Sequence, residues 1–107
     1  MNIVRVVAFK RGKNVFTTNF KDYINKLTLA AHNQSGFIKS ESFMDVKFDY
    51  DNHTIISISD WDNQVSWNDW INSDMRKKIY LEYKENVISE EFNVMIKNKD
   101  SNNVFLL

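Results

Sequence analysis

The order in which two hydrophobic periodicities alternate along the chain constrains its fold more than any other sequence feature. Residues 3–9 follow the two-residue period of a strand, with apolar side chains on both faces except at Arg5. Apolar residues then recur every three or four positions from Phe20 to Ala31. This spacing predicts an amphipathic helix that ends near Gly36, a residue suited to a left-handed cap.

The second half of the chain repeats this order with one additional strand. Residues 37–46 and 53–61 predict two strands joined by a short polar turn, and therefore an antiparallel hairpin. Residues 62–63 can cap a second helical region that restarts at residues 73–74, and residues 92–97 predict a last strand. The resulting order, β-α-β-β-α-β, is the ferredoxin-like arrangement of the α+β class. It predicts a four-stranded antiparallel sheet with two helices on one face.

The length of 107 residues predicts a single domain over residues 1–97, followed by a tail over residues 98–107. The tail ends in four apolar residues, 104–107, so we expect it to dock on its own domain or on a partner subunit. The sheet face away from the helices also carries apolar residues. We therefore expect a homodimer with two-fold symmetry, packed sheet to sheet as a dimeric α+β barrel.

Composition excludes several classes of function. The 14 basic residues are balanced by 14 acidic residues, which argues against nucleic acid and anionic membranes as partners, since both need a basic surplus. The chain has no Cys and only two His, so thiol chemistry is excluded and we expect no metal site. No targeting segment and no run of roughly 18 apolar residues is visible, which predicts a soluble cytoplasmic protein.

Aromatic residues are more numerous than one small core usually takes in, with 8 Phe, 4 Tyr and 3 Trp. This excess predicts a further burial surface, either a partner subunit or a pocket. Trp61, Trp67 and Trp70 could line an aromatic pocket or pack in the core beneath the sheet. Arg5 could bind an anionic substrate or form a structural ion pair, and Ser57 could line a wet cavity or lie on a tolerated sheet surface.

Three motifs together resemble the antibiotic biosynthesis monooxygenase family. In residues 61–74, Trp61 closes a strand, a polar turn caps a helix, and Trp70 follows nine residues on, before a Ser. Residues 35–43 are similar to the Gly-Phe start of that family's second strand, and residues 91–96 are similar to its last strand. The resemblance covers roughly residues 2–97. It implies a dimeric α+β barrel whose pocket lies between sheet and helices, and an oxidation of aromatic polyketides by molecular oxygen without metal or flavin.

A haem-degrading branch is similar in the helix that contains Trp70. The resemblance implies that Trp70 would contact haem, that the branch's axial His falls at Tyr80, and that its catalytic Asn falls near Val6. Both departures count against haem degradation, although Tyr80 could ligate ferric iron as a phenolate or simply pack.

Three hypotheses about function follow. The first is a monooxygenase that needs no cofactor and acts on an aromatic or polycyclic small molecule. The alternatives are a haem or porphyrin binder and a non-catalytic dimeric ligand-binding module. A pocket filled by Trp67, Trp70 and Tyr80 themselves would favour the last of these. The candidate catalytic residues are Trp70, Tyr80 and Arg5, and the candidate substrate-contact residues are Trp61, Trp67, Ser57, Val6 and Phe92.

Overall fold

The computed structural model describes residues 2–13, 19–45, 52–98 and 104–106. In chain order its elements are β1 (Asn2–Lys13), α1 (Asn19–His32), β2 (Phe37–Met44), β3 (Asn52–Trp61), α2 (Gln64–Ile71), α3 (Asp74–Tyr83), a 3₁₀ turn (Lys84–Asn86), β4 (Val87–Asn98) and β5 (Val104–Leu106). Within these described ranges no helix has the length and apolarity needed to cross a bilayer.

The sheet is antiparallel throughout, in the order β2-β3-β1-β4-β5. β1 therefore lies at its centre, between β3 and β4. The first four strands and the helices confirm the ferredoxin-like α+β fold predicted from the sequence. β5 extends that sheet by pairing with β4 of the same chain, where Ile96 lies opposite Phe105. The predicted turn at residues 49–52 falls largely outside the described residues, as do the remaining tail residues 99–103 and 107.

Two strands are longer than their periodicity predicts. β1 continues to Lys13, so the basic run that we expected to form a turn is strand instead. The reason is that β3 pairs with β1 as far as Asn52, which supplies backbone partners for these polar residues. β4 likewise begins at Val87, five residues before the predicted start.

Local capping sets the ends of the helices. The Asn63 side-chain oxygen accepts a 2.8 Å hydrogen bond from the Ser66 amide at the start of α2. The Ser73 hydroxyl oxygen accepts a 3.1 Å bond from the Arg76 amide at the start of α3. These caps explain why the predicted second helical region is two helices. After α1 the chain reverses at Gly36, whose φ of 82° lies in the left-handed region.

The core lies between the helices and one face of the sheet. All three Trp are buried there, together with Val4, Val6, Phe20, Tyr23, Ile24, Leu27 and Ile79. Met75 and Tyr80 of α3 do not belong to this core, since their side chains are exposed. Arg76 takes the inner position beside Ile79, because a carboxylate on β4 pairs with its guanidinium.

Candidate functional site

The helix-facing side of the sheet is apolar in one half and is lined by serine hydroxyls in the other half. Alternate residues of β1 and β4 are apolar there, and Val6 and Ala8 lie in the middle of β1. The register places Ser59 beside Val6, and Ser57 beside Ala8. Ser40 and Ser42 of β2 continue these two rows toward the sheet edge. A wall of hydroxyl groups therefore stands next to an apolar wall on the same face.

The hydroxyl wall makes two hydrogen bonds of its own. The Ser42 and Ser57 hydroxyl oxygens lie 3.2 Å apart. Trp61 Nε1 donates a 3.0 Å hydrogen bond to the Ser59 hydroxyl oxygen. A serine hydroxyl can donate one hydrogen bond and accept others. These serines can therefore still form hydrogen bonds with a bound molecule.

Four aromatic rings form a continuous row beneath the sheet. Their centroids are 5.3 Å apart for Phe37 and Trp61, 5.9 Å for Trp61 and Trp67, and 5.5 Å for Trp67 and Phe92. Trp70 lies three residues after Trp67 on α2, so both indoles project from the same helix face. These tilted and edge-on pairs are the favoured arrangement of aromatic rings, and they form a continuous apolar cluster.

A cavity of about 50 Å³ lies between these walls. It is small beside the roughly 150 Å³ of an engineered apolar cavity that holds benzene. The structure brings six of the eight predicted site residues together at its lining, namely Val6, Ser57, Trp61, Trp67, Trp70 and Phe92. Trp67 and Trp70 thus both belong to the core and line the cavity.

A buried cluster of charges closes one end of the cavity, and sequence reasoning missed it. Lys10 and Arg76 line the cavity, and both pair with Glu90 of β4. Arg76 Nη2 donates to Glu90 Oε2 at 2.8 Å, whereas Lys10 Nζ lies 3.8 Å from the same oxygen. The signal for Lys10 was present, because position 10 continues the inward alternation of Val6 and Ala8.

Burial shifts the titration of two groups in this cluster. It lowers the pKa of the Lys10 ammonium to about 8, while the Glu90 carboxylate opposes the shift and Arg76 reinforces it. Burial also raises the pKa of the Tyr23 hydroxyl well above its usual range, and the Glu90 charge adds to this increase. Tyr23 Oη is buried and makes no hydrogen bond with the described residues. The cluster thus combines two cations, one carboxylate and a protonated phenol.

Arg76 separates the cavity from an open depression on the protein surface. The depression has a volume of about 430 Å³ and is lined by Arg76, Lys77, Tyr80, Leu81 and Glu90. Tyr80 therefore lies in the outer depression rather than at the cavity, with its ring 6.4 Å from that of Tyr23. Arg76 is therefore the residue that lines both spaces.

The structure places Arg5 on the opposite face of the sheet. Its Nε and Nη2 donate to the two carboxylate oxygens of Asp60 at 2.8 and 3.0 Å. Asp60 is buried, and Lys39 Nζ lies 4.0 Å from it on the outer side. The geometry of Arg5 is thus that of a bidentate ion pair, away from the inner cavity.

The residues at the cavity do not fit a haem group. Tyr80, the candidate axial ligand, lies in the outer depression, and a porphyrin is far larger than 50 Å³. Across the described ranges, no group of three His, Cys, Asp or Glu side chains could hold a metal ion. We therefore derive no chemistry through haem at this site.

Proteins similar to this chain are found among solved structures. No protein-family model and no curated protein matches the chain. A conserved protein from Methanosarcina mazei Go1 is 21% identical, with a TM-score of 0.72 over 88% of this chain and 91% of that one. SnoaB from Streptomyces nogalater, described as a cofactor-independent oxygenase, is 11% identical, with a TM-score of 0.69 over 87% and 89%. A Bacillus cereus protein described as a putative antibiotic biosynthesis monooxygenase is 16% identical, with a TM-score of 0.55 over 95% and 97%. The chain shares the fold of these proteins.

Proposed function

We propose that the chain is an antibiotic biosynthesis monooxygenase-type enzyme of the cytoplasm. Its inner cavity would oxidise a small aromatic molecule with molecular oxygen and without metal or flavin. The observation that carries this proposal is that four aromatic rings and a group of serine hydroxyls line one cavity. The shared fold supports it, since SnoaB is described as a cofactor-independent oxygenase.

An anthrone-type substrate would supply the electrons itself. Loss of a proton from its activated CH₂ group gives an enolate, and the carbon then forms a bond with oxygen. The resulting peroxide takes up a proton. Loss of the remaining C–H proton then supplies the electron pair of the carbonyl bond as the O–O bond breaks, and the released hydroxide and that proton leave as water. In this scheme the rings of Trp61 and Trp67 hold the substrate and exclude water, and the Ser42 and Ser57 hydroxyls donate to the developing enolate oxygen.

Room for such a substrate requires the cavity to open. The space of about 50 Å³ becomes continuous with the depression of about 430 Å³ if the Arg76 side chain moves. Tyr80 would then lie at the mouth of the enlarged site. This arrangement gives the predicted residue Tyr80 a place beside the substrate path.

Oxygen uptake in the presence of a hydroxyanthrone tests the proposed activity. We expect uptake above the protein-free rate, and a loss of at least about tenfold in Trp70→Ala, since this variant removes one wall of the cavity. Val65→Ala is the matched control, because Val65 lies exposed on the same helix. Uptake no faster than without protein, or an unchanged rate in Trp70→Ala, would contradict the proposal.

The cavity volume favours a second candidate function, a ligand-binding module without catalysis. Trp67 and Trp70 fill much of the space that a substrate would need, and about 50 Å³ remains. Saturable binding of the hydroxyanthrone without oxygen uptake would support this candidate over the monooxygenase.

We also propose that two copies of the chain associate through the outer face of the sheet. Val7 and Ile58 lie half-buried on this face, and the larger side chains of Phe9 and Phe43 are 37% and 49% exposed. A second copy would cover these side chains, and the strands that carry them would lose little further conformational freedom. Sedimentation at micromolar concentration should show about 25 kDa, twice the chain mass of 12.7 kDa. A single species at the chain mass would refute this assembly.

A further inference from the structure

The buried charge cluster, formed by Lys10, Arg76 and Glu90, has one more positive charge than negative charge. Three separate elements, β1, α3 and β4, bring these groups together. Each side chain is at most 10% exposed. Among the residues that the structure describes, Glu90 is the carboxylate with which both cations pair. An uncompensated buried charge is costly, so the cluster is electrostatically incomplete as it stands.

The same cluster has more hydrogen-bond donors than acceptors. Lys10 and Arg76 present ammonium and guanidinium N–H groups, and one oxygen of Glu90 faces both of them. The hydroxyl of Tyr23 is a further buried donor, and it lies beside the same Glu90 carboxylate. It lies close enough to Glu90 and Arg76 for both charges to act on its ionisation. An added group of acceptor type and negative charge would satisfy both imbalances at once.

We propose that the molecule bound at the inner cavity is an organic anion, and that Lys10 and Arg76, the two cations of the cavity lining, hold its negatively charged oxygen. This inference rests on the proposed function only in taking the cavity as a ligand site. It adds the class of ligand, an aromatic carboxylate or an ionised phenol. The charged oxygen belongs at the cationic end, and the ring belongs beside Phe92, over which the Arg76 guanidinium lies 5.4 Å from the ring centroid.

The route to this position also favours an anion. Arg76 lines the outer depression as well as the cavity, so an incoming ligand meets its guanidinium first. Lys77 lies in the same depression and adds a second positive charge on the way. The ligand oxygen would replace part of the contact between Arg76 and Glu90, and would reach Lys10 behind it.

Calorimetric titration of the full chain with benzoate and with its neutral counterpart benzamide tests the inference. We expect benzoate to bind at least about tenfold more tightly at near-neutral pH, since only the anion forms ion pairs with Lys10 and Arg76. Lys10→Met should remove most of this preference. Lys13→Met is the matched control, because Lys13 is an exposed lysine of the same strand.

A second probe distinguishes a carboxylate from an ionised phenol. If the cluster accepts a phenolate, 4-nitrophenol should show its yellow phenolate absorption at lower pH with the wild-type chain than with Lys10→Met. A benzoate preference without this shift assigns a carboxylate ligand, whereas the shift without a benzoate preference assigns an ionised phenol. Either result supports an anion site.

The titration of the wild-type chain supplies a measurement that needs no variant. The benzoate preference should fall as pH rises through about 8, where Lys10 loses its proton. The charged groups that face Lys10 are Glu90 of β4 and Arg76 of α3, and Tyr23 of α1 lies near both of these groups.

Equal binding of benzamide and benzoate, together with no shift of the 4-nitrophenol absorption, would overturn the anion site and leave the cavity as a ligand site. A preference for benzoate that survives in Lys10→Met would also overturn it. If the chain takes up oxygen with a neutral hydroxyanthrone but shows neither the benzoate preference nor the 4-nitrophenol shift, the anion site is refuted and the proposed function is supported. Anion binding without oxygen uptake would leave the inference standing and remove the monooxygenase.

Discussion

The substitution Lys10→Met tests whether a lysine ammonium is held inside this core. Lys10 lies on the central strand with its side chain 10% exposed, and its nearest counter-charge is 3.8 Å away on Glu90. Methionine has similar length and no charge, and it leaves the 2.8 Å bond between Arg76 and Glu90 in place. The variant therefore removes one buried cation and keeps the packing nearly constant.

The size of the effect follows from the titration of Lys10. Burial lowers its pKa from the ordinary value of 10.5 to about 8 in the folded chain. A difference of this size between folded and unfolded states corresponds to about 3 kcal/mol. Below about pH 8 both states carry the charge, so the wild-type chain bears the whole cost of burying it. As pH rises from about 8 to 10.5, the folded chain gives up this proton before the unfolded chain does, and wild-type stability rises relative to Lys10→Met.

Urea unfolding of both proteins at a series of pH values measures this difference. The free energy of unfolding of wild type minus that of Lys10→Met should increase by about 3 kcal/mol between near-neutral pH and pH 10.5. The comparison of Lys13→Met with wild type should show no such increase, because that side chain is exposed. A difference between wild type and Lys10→Met that stays constant over this interval would refute the claim that the Lys10 ammonium is desolvated.

Two further predictions concern the ends of the helices. Gly36→Ala should destabilise the chain by at least about 1–2 kcal/mol, since a side chain at a φ of 82° is strained and its Cβ would collide with Ser66. Urea unfolding measures this loss, and an unchanged midpoint would show that the turn can adopt another conformation. Asn63→Ala should cost about 1 kcal/mol, because it removes the side-chain cap of α2. Asn68→Ala, in the exposed middle of the same helix, is the control, and an equal loss in both variants would contradict the capping role.

Much of the fold could be predicted because its signals are local. A two-residue period, a helical stripe and the caps at Asn63 and Ser73 each act over a few residues, and together they give the order of the elements. The lengths of β1 and β4 could not be predicted in this way. Lys13 and Val87 are in strand because neighbouring strands supply their backbone partners, and that pairing depends on residues far away in the sequence.

Some of the residues predicted at the candidate site do lie at the cavity, and others lie elsewhere. Val6, Ser57 and Phe92 were predicted at the site, and the register of the sheet does bring them to one cavity. Arg5 was predicted there as well, but strand alternation turns it to the far face, where it pairs with Asp60. Tyr80 was predicted on the inner side of α3, and the phase of the helix turns it outward.

The sequence by itself determined the period of each segment, where its helices start, and the aromatic residues available to line a pocket. Only the tertiary structure decided that Lys10, Arg76 and Glu90 meet, because their contact depends on how β1, α3 and β4 pack. In sequence Arg76 and Glu90 look like ordinary surface charges, and only the alternation of β1 indicates an inward Lys10. Low exposure and a shared carboxylate turn them into a buried cationic cluster, and both properties arise from distances between segments that are remote along the chain.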